Sequence, residues 1–231
     1  MDKTYASADA AIEGMQDGTT LMSGGFGLCG NPENLIKAIL RAGTRDLNIV
    51  ANNCGTDGAG LGLLLDAGRV RSITASYVGE NKTFEALYLN GKLDVTLVPQ
   101  GTLAERIRAA GAGIGGFFTP TGYGTPVADG KETREIDGRG YVLETPLRAD
   151  FAIIKAWKGD RHGNLVFRHT ANNFNQVMAT AATTTIAEVE FLLEPGEIDP
   201  NEVQTPGIFV DRIIKGETYE KPIEFRTTRE S

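Results

Sequence analysis

The run Ser23-Gly24-Gly25-Phe26-Gly27-Leu28-Cys29-Gly30, followed by Asn31-Pro32, holds the densest set of residues suited to chemistry. Successive glycines let the backbone approach a ligand closely, and N–H groups at the start of a following helix attract negative charge. Such a loop can hold a phosphate, a carboxylate or the oxyanion of a thioester adduct. With no ligand it is a tight strand-to-helix turn. Three carboxamides come next: Asn52 and Asn53 at the end of one predicted strand and Gln100 just past another. Open α/β sheets bind ligands at the carboxyl ends of their strands, which makes these three site candidates. An asparagine pair that only closes a turn is the alternative. Glu80, in Val78-Gly79-Glu80-Asn81, stands at a predicted helix start, where a carboxylate favours the helix dipole, and is read mainly as structural.

Spacing counts against two tempting chemistries. Gly25-Phe26-Gly27-Leu28-Cys29-Gly30 is a literal G-x-G-x-x-G between a strand and a helix, which invites a dinucleotide site. In that fingerprint the helix begins inside the motif and the second strand ends in Asp or Glu. Here Asn31-Pro32 puts the helix start after the third glycine, and the second strand ends in Asn52-Asn53. Cys29, Cys54, His162 and His169 lack metal-ligand spacing, so no metal is expected and both thiols read as bystanders.

The elements that must position these residues alternate. Thr19 to Met22 reads as a strand, and a helix follows with Asn31 as its N-cap, Pro32 in its first turn and Gly43 as its stop. Asp46–Ala51, Ser72–Val78 and Leu93–Val98 are further strands, with helices at Leu61–Asp66 and Thr83–Leu89. Thr102 and Glu105 have the spacing of a capping box for a helix that ends at Gly111. Four strand–helix steps predict an open, mostly parallel α/β sheet flanked by helices, in one domain spanning residues 1–231. Gly111–Thr125 reads as a long loop, and Asp137-Gly138 predicts a β-hairpin within residues 131–146. Strands at Phe151–Trp157, Leu165–Phe167 and Thr184–Leu193 follow, with a helix around Asn175–Ala182, and the charged end from Lys215 reads as an extended arm or a poorly ordered tail.

The 231 residues are 41% hydrophobic and 23% charged, which describes a globular chain able to bury a substantial core. A net charge of −7 argues against a nucleic acid or an anionic membrane as partner. Met1-Asp2-Lys3-Thr4-Tyr5 has no signal-peptide core, and no apolar run approaches a membrane span, so the expected location is the cytoplasm. Two cysteines suit a reducing compartment.

Ser23 to Pro32, with Asp17-Gly18 upstream, resembles the A-subunit signature of family I CoA-transferases. The resemblance extends through Asn52-Asn53-Cys54-Gly55, Ser76 to Lys82, Pro99 to Arg106, Thr119 to Thr125, Gly130 to Glu135 and Gly159 to Asn164. It implies a CoA-transferase/sugar-phosphate-isomerase-like sheet domain, active only with a homologous B subunit in a heterotetramer of two A and two B. It implies a ping-pong transfer of CoA from succinyl-CoA to a 3-oxo acid, acetoacetate foremost, with 3-oxoadipate the close alternative. The alternatives of other classes are a non-catalytic acyl-CoA-binding or regulatory relative and a nicotinamide-dependent oxidoreductase built on the glycine motif. CoA is then a substrate, and no cofactor is bound permanently. The nucleophilic glutamate is expected on the B subunit, in a Ser-Glu-Asn-Gly motif that this chain lacks. By the same resemblance, Gly24, Gly25, Phe26, Gly27, Leu28, Cys29 and Gly30 form the CoA-binding or acyl-facing loop. Asn52, Asn53 and Gln100 orient the partner's glutamate and stabilise developing charge. Phe117, Phe118 and Tyr123 either wall the acyl pocket or are plain core. Lys131 and Arg134 either meet a CoA phosphate or face solvent on the hairpin. Two departures stand out: Ser23 replaces an apolar residue, which implies a wetter turn, and Asn31 replaces another, which implies a better helix cap.

Overall fold

The computed structural model describes residues 1–219. A short helix α1 (Ala8–Ala11) precedes β1 (Thr20–Ser23). Strand and helix then alternate through α2 (Glu33–Ala42), β2 (Leu47–Val50), α3 (Gly62–Asp66), β3 (Val70–Ala75), α4 (Lys82–Leu89), β4 (Asp94–Leu97) and α5 (Gln100–Gly111). Three antiparallel strands follow: β5 (Phe117–Thr119), β6 (Thr133–Ile136) and β7 (Arg139–Glu144). The chain returns through β8 (Ala149–Asp160), β9 (Leu165–Val166), α6 (Asn175–Met178), β10 (Ala182–Leu193) and β11 (Arg212–Lys215). The main sheet runs β11-β10-β8-β1-β2-β3-β4, all neighbours parallel, with β9 antiparallel beside β8. This is the open parallel α/β sheet expected from the alternating pattern. The separate small sheet is β5-β7-β6.

Consecutive apolar residues on each central strand point to opposite faces, and both faces are covered. Leu21, Ile49, Ile73, Ile153 and Ile186 meet Leu35, Ile36 and Ile39 of α2 and Phe84 of α4 on one side. Met22, Val50, Ile154 and Val189 meet Leu103 and Ile107 of α5 and Met178 of α6 on the other. Each fully buried Leu or Ile contributes about 1.5–3 kcal/mol, so the two clusters fix strand register and thereby the strand ends.

Several local expectations are overturned. Helix α2 begins one residue later than the cap reading has it: Pro32 is its cap residue, and a proline side chain has no oxygen to offer the first turn. The carboxylate of Glu188 on β10 serves that turn instead. Its Oε2 accepts from the Leu35 N–H at 3.0 Å and its Oε1 from Asn34 Nδ2 at 2.7 Å. Burial pushes the Glu188 carboxyl up to about 7 despite these bonds. Gly43 does close α2 in the left-handed region, at φ 77°. The Thr102–Glu105 capping box is absent, because α5 already starts at Gln100 behind Pro99. Thr102 Oγ1 is buried without a partner, and Glu105 pairs with Arg108. The long loop contains β5, α6 stops at Met178 so that Ala182 can open β10, and β3 ends at Ala75, short of Val78. The Asp137-Gly138 hairpin forms with both residues at positive φ (49° and 73°), as a two-residue turn requires. Strand β11 reaches Lys215; residues 220–231 of the expected arm lie outside the described residues. Among the described residues no helix is long and apolar enough to cross a membrane.

Candidate active site

The carboxyl ends of β1, β2 and β3 and the start of α5 converge on a cavity of about 650 Å³. β1 delivers the glycine loop, whose tip residues Phe26, Gly27 and Cys29 line one wall. The inner part of the loop is packed. A Cβ on Gly24 would run into Asn175 Oδ1, and one on Gly25 (φ 118°) into Asn31 Oδ1, so only glycine fits at both positions. Leu28 belongs to the core, and Gly30 packs over Ala171. Ser23 is 1% exposed, so the turn there is dry, contrary to the wetter turn its hydroxyl suggested.

Three asparagines hold this loop. Asn31 Nδ2 donates to the Gly27 carbonyl (3.1 Å), which is its task in place of the expected cap. Asn173 accepts from the Gly25 N–H (3.1 Å) and donates to the Cys29 carbonyl (3.0 Å). Asn175, fully buried, accepts from the Lys155 N–H (2.8 Å) and donates to the carbonyls of Gly30 (3.0 Å) and Ala171 (2.8 Å). The sequence reading missed Asn173 and Asn175. Their signal was three asparagines in four residues, Asn172-Asn173-Phe174-Asn175, at the start of α6.

These bonds also restrict what the loop offers a ligand. Its N–H groups at Gly24, Gly25, Phe26 and Cys29 are taken by Ile153, Asn173, Cys29 and Phe26 respectively. The positive end of α2 already faces the Glu188 carboxylate. The exposed surface of the loop is therefore its Phe26–Cys29 tip rather than a free helix end.

The carboxamides divide by role. Asn52, 3% exposed, donates to Ser76 Oγ at 2.8 Å and so ties the end of β2 to the end of β3. Asn53, 8% exposed, lines the cavity, and its carboxamide has no partner among the described residues. Its amide is thus left free to meet a ligand that enters the cavity. Gln100 is exposed at the first position of α5, between this cavity and an adjoining apolar cleft of about 310 Å³ walled by Ala104, Phe174 and Val177. The positive end of α5 thus stands at the cavity wall.

The wall opposite is the turn Ser76 to Asn81. Tyr77 lies over Gly79, where any Cβ would strike its ring. Glu80 is exposed to the cavity at φ 65°. Asn81, 1% exposed, caps α4 by accepting from the Phe84 N–H (2.8 Å) and donates to the Cys54 carbonyl (3.0 Å). Asn81 is thus the cap of α4, and Glu80 points into the site instead of serving the helix.

Of the remaining candidates, Cys29 shares the cavity wall and the others lie elsewhere. Burial pushes the Cys54 thiol well above its ordinary range, which makes it a poor nucleophile. Cys29 is exposed on the loop tip, its sulfur 3.5 Å from Thr170 Oγ1. Among the described residues no three His, Cys, Asp or Glu converge as metal ligands. Lys131 pairs with the buried Glu144 at 2.6 Å, and Arg134 lies over Phe118 and pairs with Glu132. Phe117, Phe118 and Tyr123 belong to the small sheet and its loop and line neither cavity.

The profile of the Coenzyme A transferase family matches residues 5–216. The chain belongs to the coenzyme A transferase family. It is 58% identical over 229 residues to the A subunit of the succinyl-CoA:3-ketoacid coenzyme A transferase of Xanthomonas campestris pv. campestris strain B100, covering 99% of this chain and 95% of that one. It is 53% identical over 229 residues to its namesake from Helicobacter pylori strain J99, covering 99% of both. Among solved structures, the transferase chain superposes on the apoenzyme of an acyl-CoA transferase from Escherichia coli O157:H7 with a TM-score of 0.82 at 23% identity. That match covers 93% of this chain and 47% of the other, so the transferase chain spans about half the length of that enzyme. At that identity the likeness establishes the fold.

Proposed function

We propose that this chain is the A component of a two-subunit transferase that moves CoA from succinyl-CoA to a 3-oxo acid, acetoacetate foremost. The observation that carries the reading is the cavity itself: three neutral carboxamides, Asn52, Asn53 and Gln100, stand at the strand ends and the start of α5 beside the Phe26–Cys29 tip, with the Asn53 amide unpartnered among the described residues. A homologous B subunit supplies the nucleophilic glutamate and closes the open side, in an assembly of two A and two B in the cytoplasm. The glutamate attacks the succinyl thioester and expels the CoA thiolate, giving a mixed anhydride. The thiolate then attacks the glutamyl carbonyl, releases succinate and leaves a glutamyl-CoA thioester. The 3-oxo acid reverses these steps and departs as its CoA ester. Asn53 donates to the oxyanion that forms at each attack, with the start of α5 adding its dipole. Gln100 and the Phe26–Cys29 tip position the acyl group, and Asn52 holds the strand ends in register for them. The chemistry needs no resident cofactor, because CoA is itself the group transferred.

One feature favours a second reading: Glu80 is a carboxylate in the cavity wall, placed to form the thioester on this chain. Mass spectrometry after mixing with succinyl-CoA separates the two. A glutamyl-CoA adduct on the partner, and only in its presence, is the expected result. An adduct on Glu80 in this chain alone would replace the first reading by the second.

A further inference from the structure

Glu80 is the one charged side chain among the described residues that line the main cavity, and the adjoining cleft has none. Its carboxylate makes no ion pair or hydrogen bond with any described residue. Its backbone lies at φ 65°, a conformation in which glycine or asparagine is relaxed and glutamate is not. The turn is held from both sides, by Tyr77 packed on Gly79 and by Asn81 bonded to Phe84 and Cys54. A strained position, rigidly supported, therefore presents one unneutralised negative charge to whatever enters.

We infer that Glu80 is a specificity-determining residue that sorts acids by the charge of their tails, disfavouring a second carboxylate relative to a neutral 3-oxo acid. The inference rests on the transferase reading above. An acid whose reacting carboxylate faces Asn53 has its tail along the cavity wall. A methyl ketone tail is uncharged and suits the apolar cleft beside Phe26, Ala104, Phe174 and Val177. A second carboxylate finds no cation among the described lining residues and meets Glu80. The same repulsion acts on the succinyl tail of the donor, whose binding its CoA part must then carry, and on the succinate left after the first half-reaction, which lacks CoA and so leaves more readily.

For two unit charges about 6 Å apart in a solvent-exposed cavity, with an effective dielectric of roughly 40–80, the discrimination is about three- to tenfold. The test uses the complex reconstituted with its B partner, wild type and Glu80→Gln, with acetoacetate and 3-oxoadipate as acceptors. In Glu80→Gln the kcat/KM ratio of 3-oxoadipate over acetoacetate is expected to rise about three- to tenfold at low salt. In the wild type the same ratio is expected to rise as salt shortens the screening length from about 10 Å at 0.1 M to about 3 Å at 1 M. That second measurement stands even if the variant does not assemble. An active wild type whose ratio is unmoved by both substitution and salt overturns the role of Glu80 and leaves the transferase reading intact. A wild-type complex that transfers CoA to neither acid overturns both.

Discussion

Gly24→Ala and Asn175→Ala, alone and together, test whether the glycine loop is shaped by the side chain packed behind it. Gly24 does not occupy the left-handed region, so alanine there introduces no backbone strain. Its Cβ would, however, overlap Asn175 Oδ1, lie 2.6 Å from Asn175 Cγ and stand 3.2 Å from Asn175 Cα. Overpacking of this kind costs about 1–3 kcal/mol, and a buried, three-way bonded neighbour leaves little room to yield, so about 2–3 is expected. Asn175→Ala removes the partner of the Lys155 N–H and of the Gly30 and Ala171 carbonyls. At about 1–3 kcal/mol for each buried group left unmet, with partial rescue by water, the expected loss is about 3 kcal/mol. In the double variant the two overlapping atoms are gone and only the 3.2 Å approach to the backbone remains. The alanine at position 24 should then cost about 1 kcal/mol or less, which makes the pair less damaging than the sum by about 1–2 kcal/mol. Urea unfolding of the four proteins in the same assembly state measures the cycle. Additivity within about 0.5 kcal/mol would refute the packing argument.

Other outcomes follow from single residues. Because burial raises the Glu188 carboxyl from 4.5 to about 7, the folded chain holds that proton more tightly than the unfolded one. The contribution is full below pH 4.5 and lost as pH rises through about 7, worth about 3 kcal/mol. Glu188→Gln should flatten unfolding free energy over that window, and an unchanged pH profile would count against the assignment. Lys131→Met leaves the buried Glu144 with only Arg106, 3.7 Å away, and should lower stability by about 1–2 kcal/mol in thermal unfolding. Adding Glu144→Gln should restore part of it. Asn53→Ala should slow thioester formation in the complex by about a hundredfold while leaving the unfolding midpoint in place, since its amide bonds nothing among the described residues. Asn52→Ala should lower both rate and midpoint, because the Ser76 hydroxyl loses the bond it accepts from the Asn52 amide and keeps only the one it donates to the backbone carbonyl of residue 52.

The centre of the sheet was legible because β1 and β2 are short apolar runs that lead into Gly24 and Asn52, and because both their faces are buried, so Leu21-Met22 and Ile49-Val50 needed no alternation. The caps were less legible. Asn31-Pro32 has the composition of a helix start, but the carboxylate that serves α2 comes from Glu188, 153 residues away. Thr102 and Glu105 have capping-box spacing inside a helix that Pro99 had already started. Strand β11, Arg212 to Lys215, offers only two apolar residues and exists because β10 presents it an edge. At the site, strand ends bring Asn52, Asn53 and Gln100 around one cavity, whereas the inward packing of Gly24 and Gly25 depended on Asn175 and Asn31, contacts no local pattern carries.

The electrostatics of the site then follow from where its charges have gone. A glycine loop leading into a helix invites the view that α2 receives the negative charge of the ligand. Glu188 already occupies that helix end, and Ile153, Asn173 and the loop's own carbonyls accept from the N–H groups of Gly24, Gly25, Phe26 and Cys29. What remains for an incoming carboxylate or oxyanion is the carboxamide of Asn53, the side chain of Gln100 and the dipole of α5, against the fixed negative charge of Glu80. Neutral donors in partial competition with an anion hold a carboxylate weakly while it is free and more strongly once charge concentrates on a single oxyanion. That difference suits a reaction in which one acid must leave and another must take its place at the same point.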